Sequence, residues 1–356
     1  MPQANGAIRS TTPLTASSPQ VTIKEFPVND TLIGGITIGT AGSDEFVFAN
    51  GQGGFERLAA SGHVTRIPFP TGPVPAGFTG PFVPASEAIG VGPNNLIVAG
   101  AQFGQGSNSC CPSIIAVPVT GNTAMRVTPD SLINSDQFVE PIFAGFANAP
   151  NNTFWFAINA PQTTAFGCLT VVKGGDFQDE QQDCGASGSP SADNTIAAVV
   201  LGTDNMIWVG SNGDVNNGVN PSIFVVNPAT GALVKSFPLP VMSQITAMVT
   251  NKADNAIWFT DAGQNEIGRI SPTGQLKFFH IPTANAGLAG ITTDPNFPTV
   301  FWFTENTANK VGRITTDGIT FDQAVPTANA GLGQMATASA GAIFFTETHA
   351  IGKIAR

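Results

Sequence analysis

Basic residues are scarce in this chain, with 14 lysines and arginines against 24 aspartates and glutamates over 356 residues and a formal charge of −10. No basic run occurs, so the electrostatic footprint that nucleic acid or an anionic membrane requires is missing, and neither is expected as a partner. Long apolar runs are missing too. None approaches the roughly 18–20 residues of a membrane span, so no membrane insertion is expected. Residues 1–19 are polar and rich in Ser, Thr and Pro; they lack the apolar middle of a signal peptide and read as a disordered arm. No P-loop, no G-x-S-x-G elbow and no H-E-x-x-H occurs, which removes the commonest signatures of phosphate binding, serine hydrolysis and zinc proteolysis.

Cysteine is limited to Cys110, Cys111, Cys168 and Cys184, without the CxxC or histidine spacing of a zinc site. Cys168 and Cys184 enclose an acidic, Gly- and Ser-rich segment, the setting of a disulfide that staples an inserted loop and adds about 3 kcal/mol on the chain-entropy argument. Cys110 and Cys111 could form a vicinal bridge, or each could pair elsewhere, since four cysteines allow three connectivities. If they are bridged, the protein is extracellular or periplasmic, and Met1 stands where an export signal has been removed.

What the chain does have is glycine and proline, 40 and 27 residues, which suit many short strands joined by turns. It also has a repeat. The stretch A-I-W-F-T-D-A-G-Q-N-E-I-G-R-I-S-P-T-G (256–274) returns as V-F-W-F-T-E-N-T-A-N-K-V-G-R-I-T-T-D-G (300–318). The second-strand signature, apolar-aromatic-apolar and then a small or polar residue, is found seven times: at Phe46–Ala49, Leu96–Ala99, Phe154–Ala157, Ile207–Gly210, Ile257–Thr260, Phe301–Thr304 and Ile343–Thr346. A period of roughly 42–50 residues with four strands per unit is that of a β-propeller blade. The fold expected is therefore all-β, a seven-bladed propeller of four-stranded antiparallel blades forming a single domain over residues 20–356. The last copy stops after its third strand, and residues 20–27 resemble the fourth strand Gln275–Pro282. The N-terminal strand is thus expected to complete the last blade and close the ring, which removes exposed edges. Residues 101–112, 159–167, 174–194 and 211–221 read as loop insertions in blades two to four, where function tends to gather.

The repeat W-F-T-[DE]…N-[EK]-[IV]-G-R-I…[IV]-P-T-A-N-A resembles the virginiamycin B lyase (streptogramin lyase) family of seven-bladed propellers, clearly over about residues 255–356 and more weakly before. The resemblance implies an elimination that opens the ester of a cyclic depsipeptide, with histidine as general acid/base and magnesium polarising the substrate. The family's histidines lie in N-A-x-P-H-x-I-T segments. Here these read Asn285 to Thr292 and Asn329 to Ala336, with Ala289 and Gly333 at the histidine positions and Gly331 where the family has an acid. Neither alanine nor glycine transfers a proton.

Two functions from different classes follow. The first is an exported ligand-binding or protein-interaction module. Aligning the innermost strands places Gly34, Glu87, Ala144, Ala197, Thr246, Ala289 and Gly333 in one ring, and the apolar Ile33, Phe143, Ile196, Ile245, Leu288 and Leu332 in the ring before it. These six are the candidate binding residues for a small apolar ligand or a protein partner, unless they pack beneath the loops. The second is a metal-assisted lyase or lactone hydrolase acting on a cyclic ester. Its candidate catalytic residues are Glu87, Glu347 and His349, and its cofactor is a divalent cation, magnesium or calcium. Asp261 and Glu305 recur at equivalent places with Asn265, Arg269, Asn309 and Arg313, as a structural hydrogen-bond pattern would; His349 has no counterpart. The tryptophans at 155, 208, 258 and 302 are expected in the core.

Overall fold

The computed structural model describes residues 8–10, 14–15, 21–70, 82–103, 110–127, 142–150, 152–160, 166–173, 179–183, 195–214 and 218–355. Its strands form seven antiparallel sheets, each a blade running from an inner strand outward. Blade one comprises Leu32–Ala41, Asp44–Gly51, Gly54–Leu58 and Val64–Pro68. Blade five comprises Ile245–Asn251, Ala256–Asp261, Glu266–Ile270 and Leu276–His280, and blade six Leu288–Thr293, Val300–Glu305, Lys310–Thr315 and Ile319–Ala324. In blade seven the C-terminal strands Met335–Thr337, Ile343–Glu347 and Ala350–Ala355 are completed by Thr22–Pro27, which pairs antiparallel from Thr22 opposite Ala355 to Pro27 opposite Ala350. Each inner strand contacts the next, and that of blade seven contacts that of blade one. No helix among the described residues is long and apolar enough to cross a membrane.

A blade cannot bury both faces alone, so the core is divided among the seams between blades. Seven apolar clusters occur, one per seam. The repeated tryptophan is the centre of several: Trp258 stacks on Phe279 of its own blade and Phe301 of the next, with ring centroids 5.4 and 4.1 Å away. Its indole N–H donates to Asp254, as Trp208 donates to Asp204 and Trp302 to Asp294. All four tryptophans are buried, as expected of core residues.

The glycine of I-G-R-I has a steric cause. A Cβ at Gly268, Gly312 or Gly352 would overlap the ring of Phe259, Phe303 or Phe345 on the neighbouring strand. In blade one the equivalent cross-strand pair is Ala49 opposite Glu56: where the aromatic ring is absent, a side chain returns.

Two features differ from the sequence reading. Part of 174–194, read as a loop, is the outer strand of blade three, Asp179–Asp183, paired with Leu169–Lys173. An outermost strand has water on one side and needs no apolar alternation, so Asp-Glu-Gln-Gln-Asp gives no strand pattern. Strand also extends into the other inferred insertions, through Phe103 and from Cys110 in blade two, and through Ala160 and from Phe166 in blade three. Second, two pieces of the segment read as a disordered arm are paired: Ile8–Ser10 runs parallel to the outer strand of blade five, and Leu14–Thr15 to that of blade six. The unpaired N–H and C=O groups of an outer edge are a template for such addition. Of the cysteines, Cys110, Cys111 and Cys168 lie in strands; their side chains, and Cys184 altogether, fall outside the described residues.

Candidate functional site

The inner strands enclose a central cavity of about 890 Å³. Its wall is built on a repeated irregularity. Pairing between inner and second strands slips in blades one to six, between Leu32 and Ile36, Pro84 and Ile89, Phe143 and Phe146, Ile196 and Ala198, Ile245 and Ala247, and Leu288 and Ile291. These are β-bulges, which bend the strand and leave one extra residue unpaired in blades three to six and more than one in blades one and two. The small residues of the aligned ring, such as Ala197, Thr246 and Ala289, sit at or beside the bulges.

A bulge strands backbone groups that must find other partners when buried. Side chains of the preceding blade supply them. Thr260 donates to the carbonyl of Ala289 at 3.4 Å, Thr304 to Gly333 at 2.7 Å and Thr346 to Gly34 at 2.7 Å, and in blade one Asn50 donates to Ala88 at 3.1 Å. Blades three and four use an asparagine two residues further on. The amide of Asn159 both donates to the carbonyl and accepts from the N–H of Ile196, and Asn212 does the same for Ile245. The third residue of W-F-T is thus a blade-to-blade latch, and Asn159 and Asn212 are latches that a search for ionisable groups passes over.

Gln334 completes the wall. From blade seven its side-chain amide reaches the carbonyl of Thr246 in blade five at 3.3 Å and that of Ala289 in blade six at 3.5 Å. Sequence reasoning missed it because it is a single residue with no repeat partner.

Of the six apolar candidates, Phe143, Ile196 and Ile245 border the cavity, whereas Ile33, Leu288 and Leu332 do not. Phe143, Ile196, Ile245, Leu288 and Leu332 are all buried within the seam clusters. The surface open to an occupant comes instead from the half-exposed Ala197, Thr246 and Gln334 and the exposed Ile142 and Gln244.

The acid candidates lie elsewhere. Glu347 is buried and close enough to Glu25 of the outer strand to share a hydrogen bond; burial first, and then Glu25, pushes its carboxyl up to about 8. His349 is exposed, with its Nδ1 3.4 Å from the carbonyl of Asp30. Neither borders the cavity. Glu87 lies in the inner strand of blade two, Phe82–Val91, at a place whose side chain is outside the described residues. Asp261 accepts the backbone N–H of Gln244 and Gln264, and Asn265 and Asn309, both with positive φ, bind the loops that enter the following blade. These repeated residues are structural. Among the described residues no three His, Cys, Asp or Glu side chains form a metal-binding group.

Residues 189–356 match the Virginiamycin B lyase family. The fold likeness extends over most of the chain: a streptogramin B lyase structure is 24% identical with a TM-score of 0.68, covering 94% of this chain and 97% of that one. The catalytically inactive virginiamycin B lyase from Staphylococcus aureus with quinupristin is 20% identical, with a TM-score of 0.66 and coverage of 95% and 100%. The WD40 propeller domain of Doa1, at 10% identity and a TM-score of 0.62, covers 95% of this chain and 97% of its own. No curated protein matches.

At the positions where the family resemblance expects histidines, the backbone leaves no room for one at Gly333: even a Cβ there would overlap the Thr346 hydroxyl and the backbone of Gly34. Nor do the described cavity-lining residues fit the family's magnesium. They offer amide, hydroxyl and backbone groups but no carboxylate, the ligand that a hard cation draws on.

Proposed function

We propose that this propeller is a binding module of virginiamycin B lyase-like fold whose ligand is an uncharged, largely apolar small molecule seated in the central cavity, and that it does not perform the lyase reaction. The observation that carries this reading is the chemistry of the cavity wall. Among its described lining residues none is ionisable, so none of these can shuttle a proton near neutral pH, while alanine, isoleucine and valine surfaces with a few amides and hydroxyls suit orientation of an apolar guest. The tight packing around Gly333 supports it, because histidine cannot be restored there without moving blade one. The alternative is a metal-assisted lyase or lactone hydrolase on Glu87, Glu347 and His349; of its described side chains, Glu347 meets Glu25 while His349 meets the carbonyl of Asp30, which favours the binding module. Export to an extracellular or periplasmic setting belongs to the same proposal and rests on the cysteines alone.

The test is binding of a neutral naphthylamine dye followed by fluorescence, comparing the wild type with Ala197→Phe, a substitution at a half-exposed position on the wall. Saturable binding by the wild type that falls at least tenfold in the variant is expected. Equal binding by both, or turnover of a cyclic depsipeptide with magnesium present, would overturn the reading.

A further inference from the structure

We propose that blade seven binds a hard divalent cation, calcium or magnesium, between Glu347, Glu25 and Thr327, in the place that the Lys310 ammonium fills in blade six. The site is separate from the cavity, and blade six holds its counterpart. In blade six the second-strand acid Glu305 lies directly across from Lys310, and the outer strand places Asp322 opposite Gly312. Thr283, on the loop entering the blade, donates its hydroxyl to Asp322 at 2.8 Å. The Lys310 Nζ lies 3.0 Å from Asp322 and 3.4 Å from the Thr283 hydroxyl. The ammonium thus pairs with Asp322 and the Thr283 hydroxyl, and it acts on the Glu305 carboxyl through its charge alone.

Blade seven repeats every member of this group but the cation. Glu347 stands for Glu305, and Glu25, opposite Gly352, stands for Asp322. Thr327 stands for Thr283 and donates its hydroxyl to Glu25 at 2.7 Å and its backbone N–H at 3.0 Å. The residue across from Glu347 is Ala350. Removing the lysine leaves two facing carboxyls with no positive charge among the groups that act on Glu347. Glu347 is only 2% exposed, and its Oε1 has no hydrogen-bond partner. A buried carboxylate in this state is costly unless a proton or a cation joins it.

The donor set decides the class of cation. It is all oxygen, which excludes the softer metals and favours calcium or magnesium. Two carboxylates and a threonine oxygen leave the remaining coordination to water, and the exposed Thr327 gives access from solvent. So sparse a set implies weak binding, of the order of 10⁻⁴–10⁻³ M as in extracellular calcium modules. Because Glu25 is on the strand that closes the ring, the cation would hold the N-terminal strand to the C-terminal blade.

The experiment uses the full chain and four proteins: wild type, Glu347→Gln, Glu25→Gln and Ala350→Lys, the last restoring the blade-six arrangement. Calcium and magnesium are titrated by calorimetry at about pH 8, and Tm is followed with and without them. The wild type is expected to bind one cation and to melt higher in its presence, with at least tenfold weaker binding in each glutamine variant. Ala350→Lys should bind no cation and should melt in its absence as the loaded wild type does. No binding by the wild type, or binding that persists in Ala350→Lys, would overturn the proposal. So would a wild-type Tm that responds to pH but not to either cation, since the pair would then hold only a proton.

Discussion

Thr304 donates its hydroxyl to the carbonyl of Gly333 in the next blade at 2.7 Å while accepting the backbone N–H of Gly290 at 2.8 Å. One buried hydroxyl thereby joins blades six and seven and satisfies a backbone group on each. Thr304→Val, nearly the same shape, leaves both groups unpaired. The expected loss is about 2–6 kcal/mol of unfolding free energy, at roughly 1–3 kcal/mol for each of the two orphaned groups, measured by denaturant titration. A loss under about 0.5 kcal/mol would mean that the latch adds little.

The glycine of I-G-R-I should be intolerant for a reason that can be reversed. Gly312→Ala sets a methyl group against the Phe303 ring, and overpacking of this kind costs about 1–3 kcal/mol. Blade one pairs Ala49 with Glu56 at the equivalent place, so adding Phe303→Ala should relieve the clash. A double-mutant cycle should show the glycine substitution costing less in the Phe303→Ala background. Simple additivity would contradict this account.

Stability should fall as the solution becomes more alkaline. Burial raises Glu347 from 4.5 to about 8, and Glu56 and Glu305 from 4.5 to about 7. Each folded-state value lies above the unfolded one, so the folded protein binds more protons between them. The stabilisation associated with the neutral forms is full below 4.5 and is lost as pH rises towards 7 for Glu56 and Glu305 and 8 for Glu347. Without divalent cations, Tm should decline across this range, and Glu347→Gln should remove the most alkaline part of the decline. An unchanged profile in that variant would assign the effect elsewhere.

Removing residues 1–19 should expose the outer edges of blades five and six while leaving the closing strand Thr22–Pro27 in place. Hydrogen exchange should then quicken at 277–279 and 319–320, the segments paired with Ile8–Ser10 and Leu14–Thr15. Protection unchanged by the deletion would show that the added strands contribute nothing in solution.

The sequence by itself determined the architecture, because the copies of the repeat share an apolar second strand, and the last three add a glycine that yields to an aromatic ring. Self-similarity between Trp258 and Trp302, or between Gly268 and Gly312, is visible without coordinates, as is the missing outer strand that Thr22–Pro27 supplies. Repetition also identified Asn265 and Asn309 as structural. Polar outer strands such as Asp179–Asp183 escaped because their pairing is made by backbone alone.

Tertiary structure decided what lies between copies. That Phe143 and Leu288 pack into seams while Ala197 faces the cavity depends on the bulges of blades three, four and six, whose one-residue shifts reverse the side of the strand that a side chain occupies. That Glu347 meets Glu25, from the opposite end of the chain, rather than His349 two residues away depends on ring closure. Local pattern sets which elements form; only their packing sets which charges and surfaces are brought together.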